Sequence, residues 1–475
     1  LSIHWIDLLV FIVYMIAMLG VGAFFLKKNK NTEDYYVGGR SMSSWHVGLS
    51  VVATDVGGGF SIGLGGLGFT MGLSGSWMLF TGLLGAWLAA VILIPKLSAL
   101  PEFKKLFTFP QIFSIFYDKK TALLAGIISA IGYAGFTSSQ LLAGAKLASS
   151  TFADLSLTNA LVIMGVIAVV YTVMGGLKAV IYTDTIQWAL LLSGLVFIGL
   201  PLGYVSVGGY EKIREILPPE FLSLTNIRWQ DMVNWGITII PIWFVGMTLY
   251  QRIYACKSEK AAQKAWYIAG LFEWPVMALM GVLLGMFARV GAETGMFAYL
   301  GYESAQGMDA EVGLPMLLRT ILPAGLMGLM MSAYFSAVLS TADSCLMASS
   351  GNLVTDIIGY KGVDQKKFLR LSQIITLGIG VFAVLLASVM QSVLELMLYS
   401  YAFMVSGLFI PVLGGLFMKK PSANAAFFSM LIGGGTTISL ILIGRDLPLG
   451  LDANIYGISL SLITFVMINQ FRNKQ

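Results

Sequence analysis

Long apolar blocks separated by short polar connections run the whole length of the chain. The blocks fall at 5–26, 46–70, 76–98, 122–150, 157–175, 179–204, 231–255, 264–289, 322–350, 367–390, 393–418, 423–444 and 453–471. A helix needs about 20 apolar residues to cross the hydrocarbon of a bilayer, so each block predicts one span. The pattern therefore predicts an all-α integral membrane protein of thirteen transmembrane helices in one domain, residues 1–475. The longest connections, near 205–230 and 290–320, are too short to fold as separate domains. The first block is too long for the apolar core of a signal peptide and lacks a small-residue cleavage site, so it is expected to be retained.

Composition supports this class. Hydrophobic residues make up 57% and charged residues 11% of the chain, whereas soluble domains carry about 25% charged residues. The only cysteines, Cys256 and Cys345, have no metal-ligand spacing, and there are only two histidines. No phosphate-binding loop, HExxH or nucleophile–base pair is visible, so no enzyme is expected. The net charge of +5 is not gathered on a solvated domain, which argues against nucleic acid as a partner. No motif implies an obligate protein partner.

Charge changes the picture more through its placement. Of the 29 Lys and Arg, 22 fall in one set of alternate connections, Arg252 counted among them, and six in the other; Lys146 lies inside a block. Cytoplasmic loops are the Lys/Arg-rich ones. The expected orientation puts the N-terminus outside and the C-terminus inside, in a plasma membrane of bacterial inner-membrane type.

Five acids fall inside blocks: Asp55, Asp184, Glu273, Asp343 and Glu395. A carboxylate at bilayer depth costs about 2.5–3.5 kcal/mol on insertion scales, so such groups line cavities, pairs or ion paths. Glu395 lies near an outer end, within reach of headgroups. Glu273, in "LFEWP", precedes a proline and has a structural reading as well as a functional one. Asp184 reads either as a site acid or as a water-facing carboxylate near a helix end. Asp55 sits in "VVATDVGGGFSIGLGGLGF". Spaced glycines serve close helix packing, but three in a row beside an acid favour an interrupted helix. An interruption would leave free carbonyls for a cation and free amides for an anion.

In "YFSAVLSTADSCLMASS", helical periodicity of about 100° per residue puts Ala337, Ser340, Thr341 and Ser344 on one face, with Asp343 at its border. Hydroxyls and carbonyls are hard oxygen donors suited to a small hard cation. The alternative is hydroxyls bonding back to their own helix.

The segments "ATDVGGG" at 53–59, "YTVMGGLKAVIYTDTIQ" at 171–187, "QRIYACKSEKAAQKA" at 251–265 and "AVLSTADSCLMASS" at 337–350 resemble the sodium/solute symporter family over nearly the whole chain. The resemblance is greatest to the proline and choline branches. It implies a LeuT-type core of two five-helix inverted repeats, at 45–204 and 230–418. One extra helix (1–27) precedes the core and two (421–475) follow it. It implies a main sodium site from Ala53, Val56, Ala337, Ser340 and Thr341. A possible second site would use Asp184 and Ser344, with Asp343 beside it, and Asp55 would tune the first. The solute would meet Gly57, Gly58, Gly59, Phe136, Gln140, Phe60 and Trp243. The expected function is sodium-coupled uptake of a small organic solute, an amino acid or organic acid before a sugar or choline-like amine. A proton-coupled carrier of the same fold is the alternative.

Overall fold

The structure, a computed structural model, describes residues 4–26, 37–55, 57–152, 155–174, 177–358, 365–444 and 447–472. Among these residues the fold is helical throughout, apart from one isolated bridge between Met42 and Cys256.

Helix α1 (Trp5–Leu26) precedes a broken pair, α2 (Ser44–Asp55) and α3 (Gly57–Met71). Then come α4 (Trp77–Leu88, carried through a π-turn into Ile94–Ser98), α5 (Lys119–Thr151), α6 (Leu157–Met174) and α7 (Leu177–Gly194, carried on to Ser206). A second broken pair follows, α8 (Trp229–Val245) and α9 (Met247–Ala255). Helices α10 (Glu259–Leu271) and α11 (Ala278–Glu293) flank a π-turn over Phe272–Met277. The remainder is α12 (Ala310–Ile321), α13 (Leu326–Gly351), α14 (Gln365–Val389), α15 (Val393–Phe417), α16 (Ala423–Ile443) and α17 (Ala453–Arg472).

Among the described residues each of the thirteen apolar blocks is mainly helical. Eight helices among the described residues are long and apolar enough to cross a bilayer by themselves, nine if α8 and α9 form one bent span. The thirteen-span count therefore stays a proposal. Helix α12 is an addition. It lies in the segment read as an outer connection, because its amphipathic pattern carries too few apolar residues in a row to register as a span.

Local chemistry fixes the helix starts. Asp118 accepts from Thr121 N at 2.8 Å ahead of α5, and Ser258 from Ala261 N at 3.2 Å ahead of α10. Each side chain satisfies an amide that the helix cannot. The first break sits at the glycine run. Gly57 has φ +55°, a left-handed conformation that other residues rarely adopt. The second break, a 44° bend, sits at Gly246, whose ψ of 115° is extended. The later glycines take the packing role. Gly68 and Gly285 bring the α3 and α11 backbones together: a Cβ on Gly68 would collide with the Val282 carbonyl, and one on Gly285 with the Gly65 carbonyl.

Candidate functional site

The α2–α3 break lies against the middle of α13. Thr341 Oγ1 is 2.9 Å from the Ala53 carbonyl oxygen and 3.0 Å from that of Ala337. All three residues are buried. Three oxygens therefore meet with a single hydroxyl proton among them, and a small cation could complete the set by replacing that proton's contacts. Glycine at 57 permits this approach, since a Cβ there would lie 3.1 Å from both Thr341 Oγ1 and its methyl carbon. The hydroxyl's bond to Ala337 is the back-bond to its own helix that the sequence left open. The contact with Ala53 goes beyond it. Val56, expected beside these groups, lies outside the described residues.

The other hydroxyls of the α13 face turn to Asp184 and Arg252. Ser340 donates to Asp184 Oδ1, and Ser50 donates to Oδ2 at 2.6 Å. Arg252 Nη2 lies 3.4 Å from the same Oδ2. The guanidinium also donates to Ser50 Oγ (3.0 Å), the Thr248 carbonyl (3.2 Å), Thr54 Oγ1 (2.5 Å) and Ser344 Oγ (3.5 Å). This decides one alternative of the sequence reading and departs from it at one residue. Asp184 is 1% exposed and so is no water-facing carboxylate. Arg252, counted with a cytoplasmic connection, is fully buried in α9, because a buried carboxylate and four other acceptors compensate its charge. Asp343 stays apart. Its carboxylate finds no hydrogen-bond partner among the described residues, and the nearby Thr172 hydroxyl donates to the Ala168 carbonyl instead.

The expected solute residues divide into two groups. Gln140 Oε1 accepts from Gly59 N at 3.1 Å and would lie 3.3 Å from a Cβ on Gly57. Phe136, one turn earlier on α5, meets the Tyr401 ring edge-on at 5.1 Å. Gly57, Gly59, Gln140 and Phe136 thus share the break. Trp243 packs instead on α4 at Gly85 and edge-on to Trp266 at 6.3 Å. Its Nε1 has no hydrogen-bond partner among the described residues. The side chains at positions 58 and 60, Gly58 and Phe60, lie outside the described residues.

Sequence reasoning missed Tyr401, whose hydroxyl donates to Asp55 Oδ1 at 3.2 Å, and the Ser50–Thr54–Arg252 set. The missed signal for Arg252 was an intramembrane acid, Asp184, with no basic partner assigned. Glu395 is exposed and accepts from Tyr399 at 2.6 Å, in keeping with a place near an outer end.

The family model "Sodium:solute symporter family" matches residues 35–433. The sodium/proline symporter of Escherichia coli is 27% identical over 445 residues, 91% of this chain and 87% of that protein. The sodium/glucose cotransporter of Vibrio parahaemolyticus is 27% identical, covering 98% of this chain and 90% of that one. Among solved structures, a substrate-bound, outward-open Na+-coupled sialic acid symporter superposes with a TM-score of 0.79 at 22% identity, covering 98% of each chain. At that identity the likeness establishes the fold, which is LeuT-type.

Proposed function

Since the chain belongs to the sodium:solute symporter family, a multi-pass plasma-membrane carrier that couples a small solute to sodium, we propose that it takes up an amino acid or organic acid by alternating access. Sodium would be held by Ala53, Ala337 and Thr341, with Val56 and Ser340 completing the set, and the solute would lie beside Gly57, Gly58, Gly59, Phe60, Phe136 and Gln140, with Trp243, which packs on α4, as the remaining candidate. One observation carries this reading: the Thr341 hydroxyl stands between carbonyls of two segments far apart in sequence. Asp55 adds negative potential at the same break.

At the second site, Asp184 already faces a cation. We assign sodium to Asp184 and Ser344, with Asp343 adjacent, only in a state in which the Arg252 guanidinium has moved away. The two repeats (45–204 and 230–418), the thirteen spans and the outside N-terminus belong to the same proposal.

Sodium bound at the break would hold α2–α3 against α13 and favour the solute-binding state. The ion and solute affinities are then reciprocally linked. At a membrane potential of −100 mV each inward charge adds about 2.3 kcal/mol of driving force. Radioactive sodium uptake into proteoliposomes, with and without solute, tests this. Uptake should be mutual, and Thr341→Ala should weaken sodium about tenfold or more, the cost of one well-placed ligand. Solute uptake that ignores sodium would remove the ion assignment.

A further inference from the structure

Three connections at one end of the bundle bring five lysines together. Lys119 and Lys120 open α5, Lys419 and Lys420 lie in the turn from α15 to α16, and Lys96 lies in the last stretch of α4. The packing of their backbones sets this proximity. The Tyr117 hydroxyl donates to the Pro411 carbonyl at 2.7 Å, and the Thr121 hydroxyl to that of Ala423 at 3.4 Å, so the start of α5 lies along the α15–α16 turn. Gly415 makes room there for the Phe116 ring, which a Cβ would strike. Lys96 reaches the same turn: its Nζ donates to the Leu416 carbonyl at 3.4 Å and lies 4.4 Å from the centre of the Phe417 ring.

All five side chains are exposed, and none forms an ion pair among the described residues. The only acid in these connections, Asp118, turns its carboxylate to Thr121, accepting from the amide at 2.8 Å and the hydroxyl at 2.7 Å. The positive charge is therefore left without a protein counterion. Apolar surface adjoins it. Phe417 and Met418 are exposed in the same turn, and Leu123, Ile127 and Ile131, spaced four residues apart, expose one stripe of α5 that rises from Lys119 and Lys120. A small soluble anion would need only the charges. Lysines at the foot of a lipid-facing stripe sit at headgroup depth, where basic clusters attract anionic lipids.

We propose that Lys96, Lys119, Lys120, Lys419 and Lys420 form a binding site for an anionic phospholipid. Its phosphate lies among the ammonium groups and an acyl chain runs along Leu123, Ile127 and Ile131. A lipid with two phosphates, such as cardiolipin, matches the two lysine pairs best. Four other exposed lysines at this end, Lys104, Lys105, Lys257 and Lys260, gather about α9, where Phe103 meets Tyr254 edge-on at 5.5 Å. They have Glu102 and Glu259 among them, and so serve as the comparison.

Native mass spectrometry of the full chain in detergent, titrated with cardiolipin, phosphatidylglycerol or phosphatidylcholine, tests this. The two anionic lipids should bind more tightly than phosphatidylcholine. The combined variant Lys119→Gln, Lys120→Gln, Lys419→Gln and Lys420→Gln should weaken cardiolipin about tenfold or more. Phosphatidylcholine binding should stay as it was, and the melting temperature in lipid-free detergent reports an intact fold. Each lysine pair replaced alone should lose part of the affinity, which keeps the test open if the fourfold variant does not fold. The same four changes at Lys104, Lys105, Lys257 and Lys260 should cost much less. An equal loss there would mean that the charge of the whole face acts, and overturns the proposal. So does cardiolipin binding that the fourfold variant leaves unchanged, or the absence of any preference for anionic lipids. Displacement of cardiolipin by inorganic phosphate, beyond that by chloride at equal ionic strength, would make this a site for a free anion and also overturn it.

Discussion

Arg252 decides the charge balance of the ion-binding region. It is the one charged partner of Asp184 among the described residues, and both are buried. Removing one member of a buried ion pair leaves the other uncompensated, at a cost of about 3–5 kcal/mol. Arg252→Met should therefore lower the melting temperature markedly in potassium buffer. Sodium should restore more of it in the variant than in the parent, because an ion can enter the vacated place beside Asp184 and Ser344. Equal melting curves for the two proteins, or no difference between sodium and potassium, would count against the pairing. A pair of this kind is hard to read from sequence. The acid and the arginine are 68 residues apart, and Arg252 lies so near the end of its block that it resembles a loop residue. The hydroxyl face of α13 was legible because helical periodicity is local. The partners of that face were not, since Ser340 turning to Asp184 depends on how α7 packs.

At the level of elements, the α2–α3 break was visible in advance, because three consecutive glycines beside an acid contradict helix propensity. The α8–α9 break was not, since a single glycine in "FVGMT" looks like any other membrane-helix glycine. Helix α12 was missed for the opposite reason: its buried face is interrupted by polar residues that tertiary partners satisfy. The first break supports a direct test. Gly57→Ala adds a side chain at φ +55°, where L-residues pay about 1–2 kcal/mol. The new Cβ would crowd Thr341 Oγ1 at 3.1 Å and Gln140 Oε1 at 3.3 Å. Sodium and solute affinity should fall together in binding titrations, several-fold each. A fall in solute affinity with sodium affinity intact would separate the break from the ion site.

Across the whole molecule, α12 ties together parts that the proposed alternating access would move apart. It lies on α3, where Gly65 and Gly66 admit Leu314 and Glu311. Glu311 accepts from the amides of Val393 (2.9 Å) and Leu394 (3.0 Å) and from Ser392 Oγ (2.9 Å), so it caps α15 from outside that helix. Lys146 of α5 sits 2.6 Å from both Glu311 and Asp309. Three helices thus meet at one ion cluster on the face proposed to be external. If opening that face loosens the cluster, weakening it should shift the population toward the open state by as much as the closed state loses. Lys146→Met removes the cation from a buried pair, a change of about 3–5 kcal/mol. A cysteine at the buried Leu314 position, introduced as Leu314→Cys, reports the result, because the native Cys256 and Cys345 are both buried. Labelling by an impermeant maleimide in right-side-out vesicles should be many-fold faster in the Lys146→Met background than without it. Faster labelling only in inside-out vesicles would reverse the proposed orientation. Unchanged labelling from either side would mean that α12 is a fixed part of the scaffold, and that access to the solute site opens elsewhere.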